Sequence, residues 1–250
     1  MDLNSAIGIT APIAMLIPIV LILVLRLFMN RSFIALLIYY LIVSVQLLMK
    51  QNVIQVPTRV YLSLGIIDNL LDAPLMLLFL MLFSVSALMR KRIMTGMLIF
   101  LGFEGIVLLL YGFTVKTVKI ILGPDIMIIS ALSFTLFLRN VRLAITNSKS
   151  LGKAVMISSV LVSYIIFTLV YIFYYLTKNT QYKGDAQLIY YLITIISAIL
   201  MSIGIVIENK RIKKLDELRN TRKELATIYG ESKVAALNKD SRFLRMNKNQ

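Results

Sequence analysis

The sequence predicts an all-α protein built as a bundle of seven transmembrane helices. Its 250 residues are 59% hydrophobic and only 16% charged. Apolar runs of about 20 residues, the length that crosses a bilayer as a helix, recur along the chain. The breaks between them are short, so consecutive helices are expected to be antiparallel neighbours. Residues 1–207 are expected to form the membrane domain, and residues 208–250 a basic, partly helical tail.

Each predicted span is bounded by a polar or basic stretch. The first run lacks the basic start and the small-residue cleavage site of a signal peptide, so we expect it to be retained as a helix. "QNVIQVP" precedes the third run, "TVKTVK" the fifth, "NSKSLGK" the sixth and "TKNTQYKGD" the seventh. The predicted spans are 7–28, 33–49, 61–89, 93–113, 120–138, 154–176 and 186–207.

The distribution of lysine and arginine predicts the orientation of the bundle. Connections facing the cytoplasm carry an excess of these residues. One set of alternate connections holds nine of them even without the tail, and the other holds six. The N-terminus is therefore expected outside and the C-terminus in the cytoplasm, in a plasma membrane of the prokaryotic type. The larger set is Arg26, Arg31, Arg90, Lys91, Arg92, Arg139, Arg142, Lys149 and Lys153, and the smaller is Lys50, Arg59, Lys116, Lys119, Lys178 and Lys183.

The composition excludes several classes of function. The chain has neither cysteine nor histidine, which removes disulfides, thiolate chemistry and the usual catalytic and metal-binding constellations. No enzymatic activity, catalytic residue or metal site is therefore expected. The net charge is +15, but 12 of the 27 basic residues follow Ile207. This pattern favours a tail near anionic lipid headgroups over nucleic-acid binding.

The start of the tail is expected to form an amphipathic helix that ends near Gly230. Apolar residues recur there at helical spacing with charges between them. Three interpretations stay open: a solvated extension of the seventh helix, contact with anionic lipid or a protein partner, and self-association into a homo-oligomer. The last residues are expected to be disordered. The apolar positions are Ile212, Leu215, Leu218, Leu225 and Ile228.

Four carboxylates fall within the predicted spans without a basic partner: Asp68, Asp72, Glu104 and Asp125. An ionised aspartate at the bilayer centre costs about 2.5–3.5 kcal/mol on insertion scales, so such residues normally face the bundle interior. Asp68 and Asp72 share a helix face about 6 Å apart along the axis. At least one of them is expected to carry a proton at neutral pH, and the pair could share a proton, hold a sodium ion or bond to neighbouring helices.

Glu104 and Asp125 have simpler interpretations. Each could be a neutral acid that hydrogen-bonds across the bundle. Asp125 also follows Gly123 and Pro124 near the predicted outer end of the fifth helix. A carboxylate there suits the free N–H groups of a helix N-terminus, so capping is the favoured role for Asp125.

Three short motifs lie in the predicted third, fourth and seventh spans: "DNLLDAPLMLLFL" (68–80), "GFEGIVL" (102–108) and "TIISAILMSIG" (194–204). They resemble motifs of the microbial rhodopsins, a family of seven-helix retinal proteins with an outside N-terminus. The first resembles the family's third helix, with Asp68 at the counterion position and Pro74 at the family's proline. "GFEGIVL" (102–108) resembles the fourth helix, with Glu104 at the acid beside the chromophore. "TIISAILMSIG" (194–204) resembles the seventh helix, where Ser197 and Ala198 precede Ile199.

The sequence departs from this family at the positions that bind retinal. The lysine that forms the Schiff base is replaced by Ile199, and the aspartate four residues earlier by Ile195. Asn69 and Val162 stand where the family has tryptophans, and Gly65 where it has an arginine. The resemblance therefore implies a bundle without covalent retinal. The former pocket, which would hold a non-covalent retinal or another apolar ligand, is expected to include Asn69, Pro74, Val162, Ile195 and Ser197.

Three functions are compatible with these features. The favoured one is a light-independent receptor, regulator or partner-binding protein of rhodopsin-like fold, with an apolar-ligand pocket. The second is a proton or cation channel or transporter that uses Asp68, Asp72 and Glu104. The third is a structural membrane protein whose tail binds lipid or a partner protein.

Overall fold

The computed structural model describes residues 3–84, 86–147, 150–173 and 182–229, and these residues form an all-helical fold. Within them, seven helices are long and apolar enough to cross a membrane, which confirms an all-α fold with seven candidate spans. The predicted end of the sixth span (174–176) and the last part of the tail (230–250) lie outside the described residues. The α helices are α1 Leu3–Val24, α2 Arg31–Lys50, α3 Thr58–Phe83, α4 Ala87–Tyr111, α5 Val115–Asn147, α6 Leu151–Tyr171 and α7 Tyr182–Tyr229, with a short 3₁₀ helix at Leu27–Met29.

The boundary between α3 and α4 differs from the prediction. The third span was expected to continue to residue 89, but α3 ends at Phe83 and α4 begins at Ala87. Ser84 and Ser86 have extended backbones in this break, and the Arg90 guanidinium donates a 3.3 Å hydrogen bond to the Ser84 carbonyl. Hydropathy alone missed the break because the flanking residues are apolar.

The start of α5 corrects the predicted role of Asp125. The helix begins at Val115, not near residue 120. The Thr114 side chain accepts a 3.4 Å hydrogen bond from the Thr117 amide, as an N-cap residue does. Asp125 lies ten residues beyond Val115 and is fully buried, so it cannot cap the helix. Pro124 is accommodated inside the helix, as prolines in transmembrane helices often are.

Helices α1 to α6 pack with their consecutive neighbours, most extensively α5 on α6 and α2 on α3, and α3 also packs beside α5. Aromatic side chains fill part of the core, where the Phe33 and Phe83 rings meet edge to face at 5.6 Å between centroids. The outer faces are apolar as well: Leu109 is 88% exposed and Met127 71%. Such an apolar exterior is expected where the surrounding solvent is lipid.

Small residues bring α6 and α7 close together. A Cβ atom added to Gly204 would lie 2.9 Å from the Met156 amide nitrogen, and one added to Gly152 would lie 2.6 Å from the Glu208 amide nitrogen. On the same two helices, the Ser159 hydroxyl of α6 donates a 2.8 Å hydrogen bond to the Ser197 carbonyl of α7. Small side chains at helix contacts are the usual means of close packing in membranes.

The chain divides into two compact units, Met1–Glu208 and Asn209–Gln250. The first contains the helix contacts described above. The described part of the second is helical as far as Tyr229. Its leucines at 215, 218 and 225 are between 41% and 50% exposed.

Candidate functional site

A cavity of about 300 Å³ lies between five helices of the first unit. Two carboxyl groups, one lysine and three amide side chains line it together with aromatic and aliphatic residues. The polar lining residues are Gln46, Lys50, Asp68, Asn69, Asp72 and Gln187, and the others are Tyr39, Val43, Leu47, Tyr61, Leu122, Ile126, Phe167, Val170, Tyr171 and Tyr190.

The cavity extends from one end of the bundle to about half the length of α3. Lys50 is the last residue of α2, Tyr171 the last of α6, and Tyr61 lies in the first turn of α3. Asp72 lies eleven residues beyond Tyr61, about 16 Å along a helix that rises 1.5 Å per residue. The cavity therefore runs toward Asp72 from the end of the bundle at which α2 connects to α3, which is the predicted outer end.

Asp72 receives a hydrogen bond at the inner end of this cavity. The Tyr164 hydroxyl on α6 donates to Oδ1 of Asp72 at 2.7 Å. Tyr164 is only 1% exposed, and its ring meets that of Phe167 at 5.7 Å. This packing fixes the tyrosine, so Asp72 is held against the α6 side of the cavity.

The carboxyl of Asp125 on α5 lies within hydrogen-bonding reach of Asp72. Asp125 is 0% exposed, and neither of its oxygens accepts a hydrogen bond from any N–H or hydroxyl donor in the described part of the chain. Two carboxyl groups can bond to each other only if one of them carries a proton. One proton held between them would therefore give the Asp72 and Asp125 carboxyls a hydrogen bond to each other.

Glu104 on α4 adds a third acid to this region. It is 5% exposed, and its Oε1 atom has no hydrogen-bond partner in the described residues. Its charge acts on both Asp72 and Asp125, so α3, α4 and α5 each direct one carboxyl group toward the same interior region. Among the described residues, no cation is found next to these three acids.

No group of three or more acidic, histidine or cysteine residues among those described is arranged to hold a metal. The hard cations that prefer oxygen ligands need about six of them in a closed shell. A proton needs only one carboxyl oxygen and an acceptor, which Asp72 and Asp125 supply.

The structure brings some of the predicted site residues together. Asp68, Asn69 and Asp72 line the cavity. Asn69 also donates a 2.6 Å hydrogen bond to the Gly65 carbonyl one turn earlier, which holds its amide along α3. Ser197 lines a second, much smaller cavity of about 20 Å³ beside Tyr164.

Other predicted pocket residues line neither of these two cavities. Pro74 and Ile195 are half-buried. Val162 is 36% exposed and Ile199 46% exposed, although both were expected to face a pocket. On α7 the buried positions recur at Thr194, Ala198, Met201 and Ile205. Ile199 follows Ala198 directly, and one residue rotates a helix by about 100°, so Ile199 points away from the buried face.

Two residues were not named as site residues from the sequence. For Asp125, capping was favoured over the alternative of a neutral acid bonded across the bundle, because the predicted start of α5 was too late. Tyr164 was not singled out at all. A signal for it exists, because a tyrosine in the middle of an apolar span has a hydroxyl that needs a partner when it is buried.

No protein-family model, no curated protein and no solved structure matches this chain. Its class is therefore defined by its own fold and site. Seven apolar helices identify an integral membrane protein, and its interior holds four carboxyl groups in or beside a cavity that begins at one end of the bundle.

Proposed function

We propose that this protein takes up protons from one side of the membrane and passes them through the acids in its interior. The observation that carries the proposal is the fully buried Asp125 carboxyl, whose neighbour within hydrogen-bonding reach is another carboxyl, Asp72. Buried acids without cationic partners are rare in membrane proteins and commonly belong to proton relays.

The proposed path follows the order of the acids. A proton from the cavity first binds Asp68 or Asp72. Asp72 then shares it with Asp125, and the negative charge left on Asp72 is stabilised by the hydrogen bond from Tyr164. Glu104, whose charge acts on Asp125, is the next acceptor. In the proposed orientation, with the N-terminus outside, uptake takes place from the outer side.

Proton flux into liposomes tests this function. The full-length protein and its Asp125→Asn variant are reconstituted with a pH-sensitive dye inside, and a proton gradient is applied. We expect wild-type flux above that of empty liposomes and a reduction of at least about tenfold in the variant, since an amide cannot release a proton to Glu104. Asp185→Asn is the matched control, because Asp185 is an exposed aspartate.

Infrared spectroscopy gives a second measurement on the same samples. The protonated acid of the Asp72–Asp125 pair should produce a carboxylic-acid carbonyl band that is lost or shifted in Asp125→Asn and retained in Asp185→Asn. Equal flux from wild-type protein, variant and empty liposomes would rule out the proton path.

We propose as a second possibility a rhodopsin-like protein without covalent retinal, acting as a light-independent receptor. It is supported by a cavity lined by Asp68, the residue at the counterion position in the resemblance to microbial rhodopsins, and by Asn69, a predicted pocket residue. Retinal added to the purified protein is the test. We expect no strongly red-shifted band that hydroxylamine bleaches, because no lysine lies among residues 186–207. Such a band would contradict the proposal.

A further inference from the structure

We propose that the cavity between α2, α3, α5, α6 and α7 binds a small organic ammonium ion. The ammonium group would pair with Asp68, and the apolar body would lie against the aromatic wall formed by Tyr39, Phe167 and Tyr190. This inference uses the cavity of the proposed function but does not depend on proton transfer through Asp125.

Asp68 provides a carboxyl group with which such a ligand would pair. Its side chain lines the cavity, and in the described part of the chain it has neither a hydrogen-bond donor nor a basic partner. The carboxyl of Asp72 interacts with it electrostatically. Two acids in one partly buried cavity favour a cationic ligand, since a bound positive charge reduces the repulsion between the two carboxyl groups.

One ring of the aromatic wall, that of Tyr190, already contacts an ammonium group, that of Lys50, together with the neighbouring Tyr191 ring. Its Nζ atom lies 5.5 Å from the centroid of the Tyr190 ring and 5.1 Å from that of Tyr191. Both distances are within the range of a cation–π interaction. The Lys50 ammonium thus makes the kind of contact that is expected of the ligand, and it lies where the cavity reaches the end of the bundle.

The volume limits the size of the ligand. A cavity of about 300 Å³ is at the lower end of the range for small-molecule sites. It suits an amine with on the order of ten non-hydrogen atoms, since one water molecule occupies about 30 Å³. An arylalkylamine of this size can place its ammonium on Asp68 while its ring contacts Phe167 and Tyr190, whose own rings stack at 5.4 Å.

Calorimetric titration of the full-length protein with phenethylammonium chloride tests the proposal. We expect binding by the wild type, at least about tenfold weaker binding by Asp68→Asn because a charge-assisted contact is lost, and unchanged binding by the Asp185→Asn control. Lys50→Met should bind about two- to fivefold more tightly, because Lys50 no longer competes for the Tyr190 ring. The neutral analogue 2-phenylethanol should bind much more weakly than the ammonium.

Each alternative result overturns the proposal. If neither the wild type nor Lys50→Met binds phenethylammonium, the cavity is not an ammonium site. If 2-phenylethanol binds as tightly as phenethylammonium, the positive charge plays no role in binding. Should Asp68→Asn not fold, Asp68→Glu keeps the charge and must keep binding. Asp125→Asn separates the two proposals: it should bind the amine within about twofold of the wild type even though proton flux is lost.

Discussion

The hydroxyl of Tyr164 on α6 donates a 2.7 Å hydrogen bond to the Oδ1 atom of Asp72 on α3, across 92 positions of sequence. This contact joins two helices at the inner end of the cavity, where the Asp125 carboxyl also interacts with Asp72. One aspartate is thereby held between a fixed donor and a second acid, the arrangement on which the proposed proton site depends.

Tyr164→Phe should destabilise the protein by about 1–3 kcal/mol, because the Asp72 carboxyl is left without its hydroxyl donor in a buried site. Thermal unfolding in detergent measures the effect. Tyr111→Phe is the matched control, since Tyr111 is 41% exposed and should unfold like the wild type. Equal unfolding temperatures for Tyr164→Phe and the wild type would mean that the hydrogen bond adds nothing to stability.

Gly204→Ala should destabilise the contact between α6 and α7 by about 1–3 kcal/mol, the usual cost of overpacking. Its new methyl group would lie 2.9 Å from the backbone nitrogen of Met156 and 3.2 Å from the Gly152 carbonyl oxygen, and backbone atoms cannot move aside cheaply. Gly96→Ala is the control, because nothing lies within 4 Å of its added Cβ. We expect Gly96→Ala to unfold at or above the wild-type temperature, since alanine favours a helix over glycine. The same loss of stability in both variants would contradict close packing at Gly204.

Spin labels can test the outward direction of Ile199. The chain has no cysteine, so Ile199→Cys and Ala198→Cys each carry a single label. Because Ile199 is 46% exposed and Ala198 fully buried, the label at 199 should be mobile and accessible to oxygen dissolved in lipid, and the label at 198 should be immobilised. The reverse result would show that position 199 faces the interior, as the resemblance to microbial rhodopsins implies.

Two exposed connections can test the predicted orientation. Gln55 lies between α2 and α3, and Asn30 lies just before α2. A membrane-impermeant maleimide should label Gln55→Cys in intact cells and Asn30→Cys only after permeabilisation, since the excess of lysine and arginine predicts that the Asn30 side is cytoplasmic. The opposite labelling pattern would invert the topology and place the cavity on the cytoplasmic side.

The sequence by itself determined the number and type of elements. Seven apolar runs of spanning length leave few alternatives to seven helices, because a backbone in lipid must satisfy its own hydrogen bonds. It also identified Asp68, Asp72 and Glu104 as candidate site residues, since acids in apolar runs stand out by composition alone.

Only the tertiary structure decided which of these groups meet. The pairing of Asp125 with Asp72 depends on the packing of α5 beside α3, and the donor Tyr164 comes from α6; no local pattern encodes either contact. The direction of Ile199 likewise depends on the rotation of α7 about its axis. In an apolar helix whose inner and outer faces are both hydrophobic, hydropathy carries little information about that rotation.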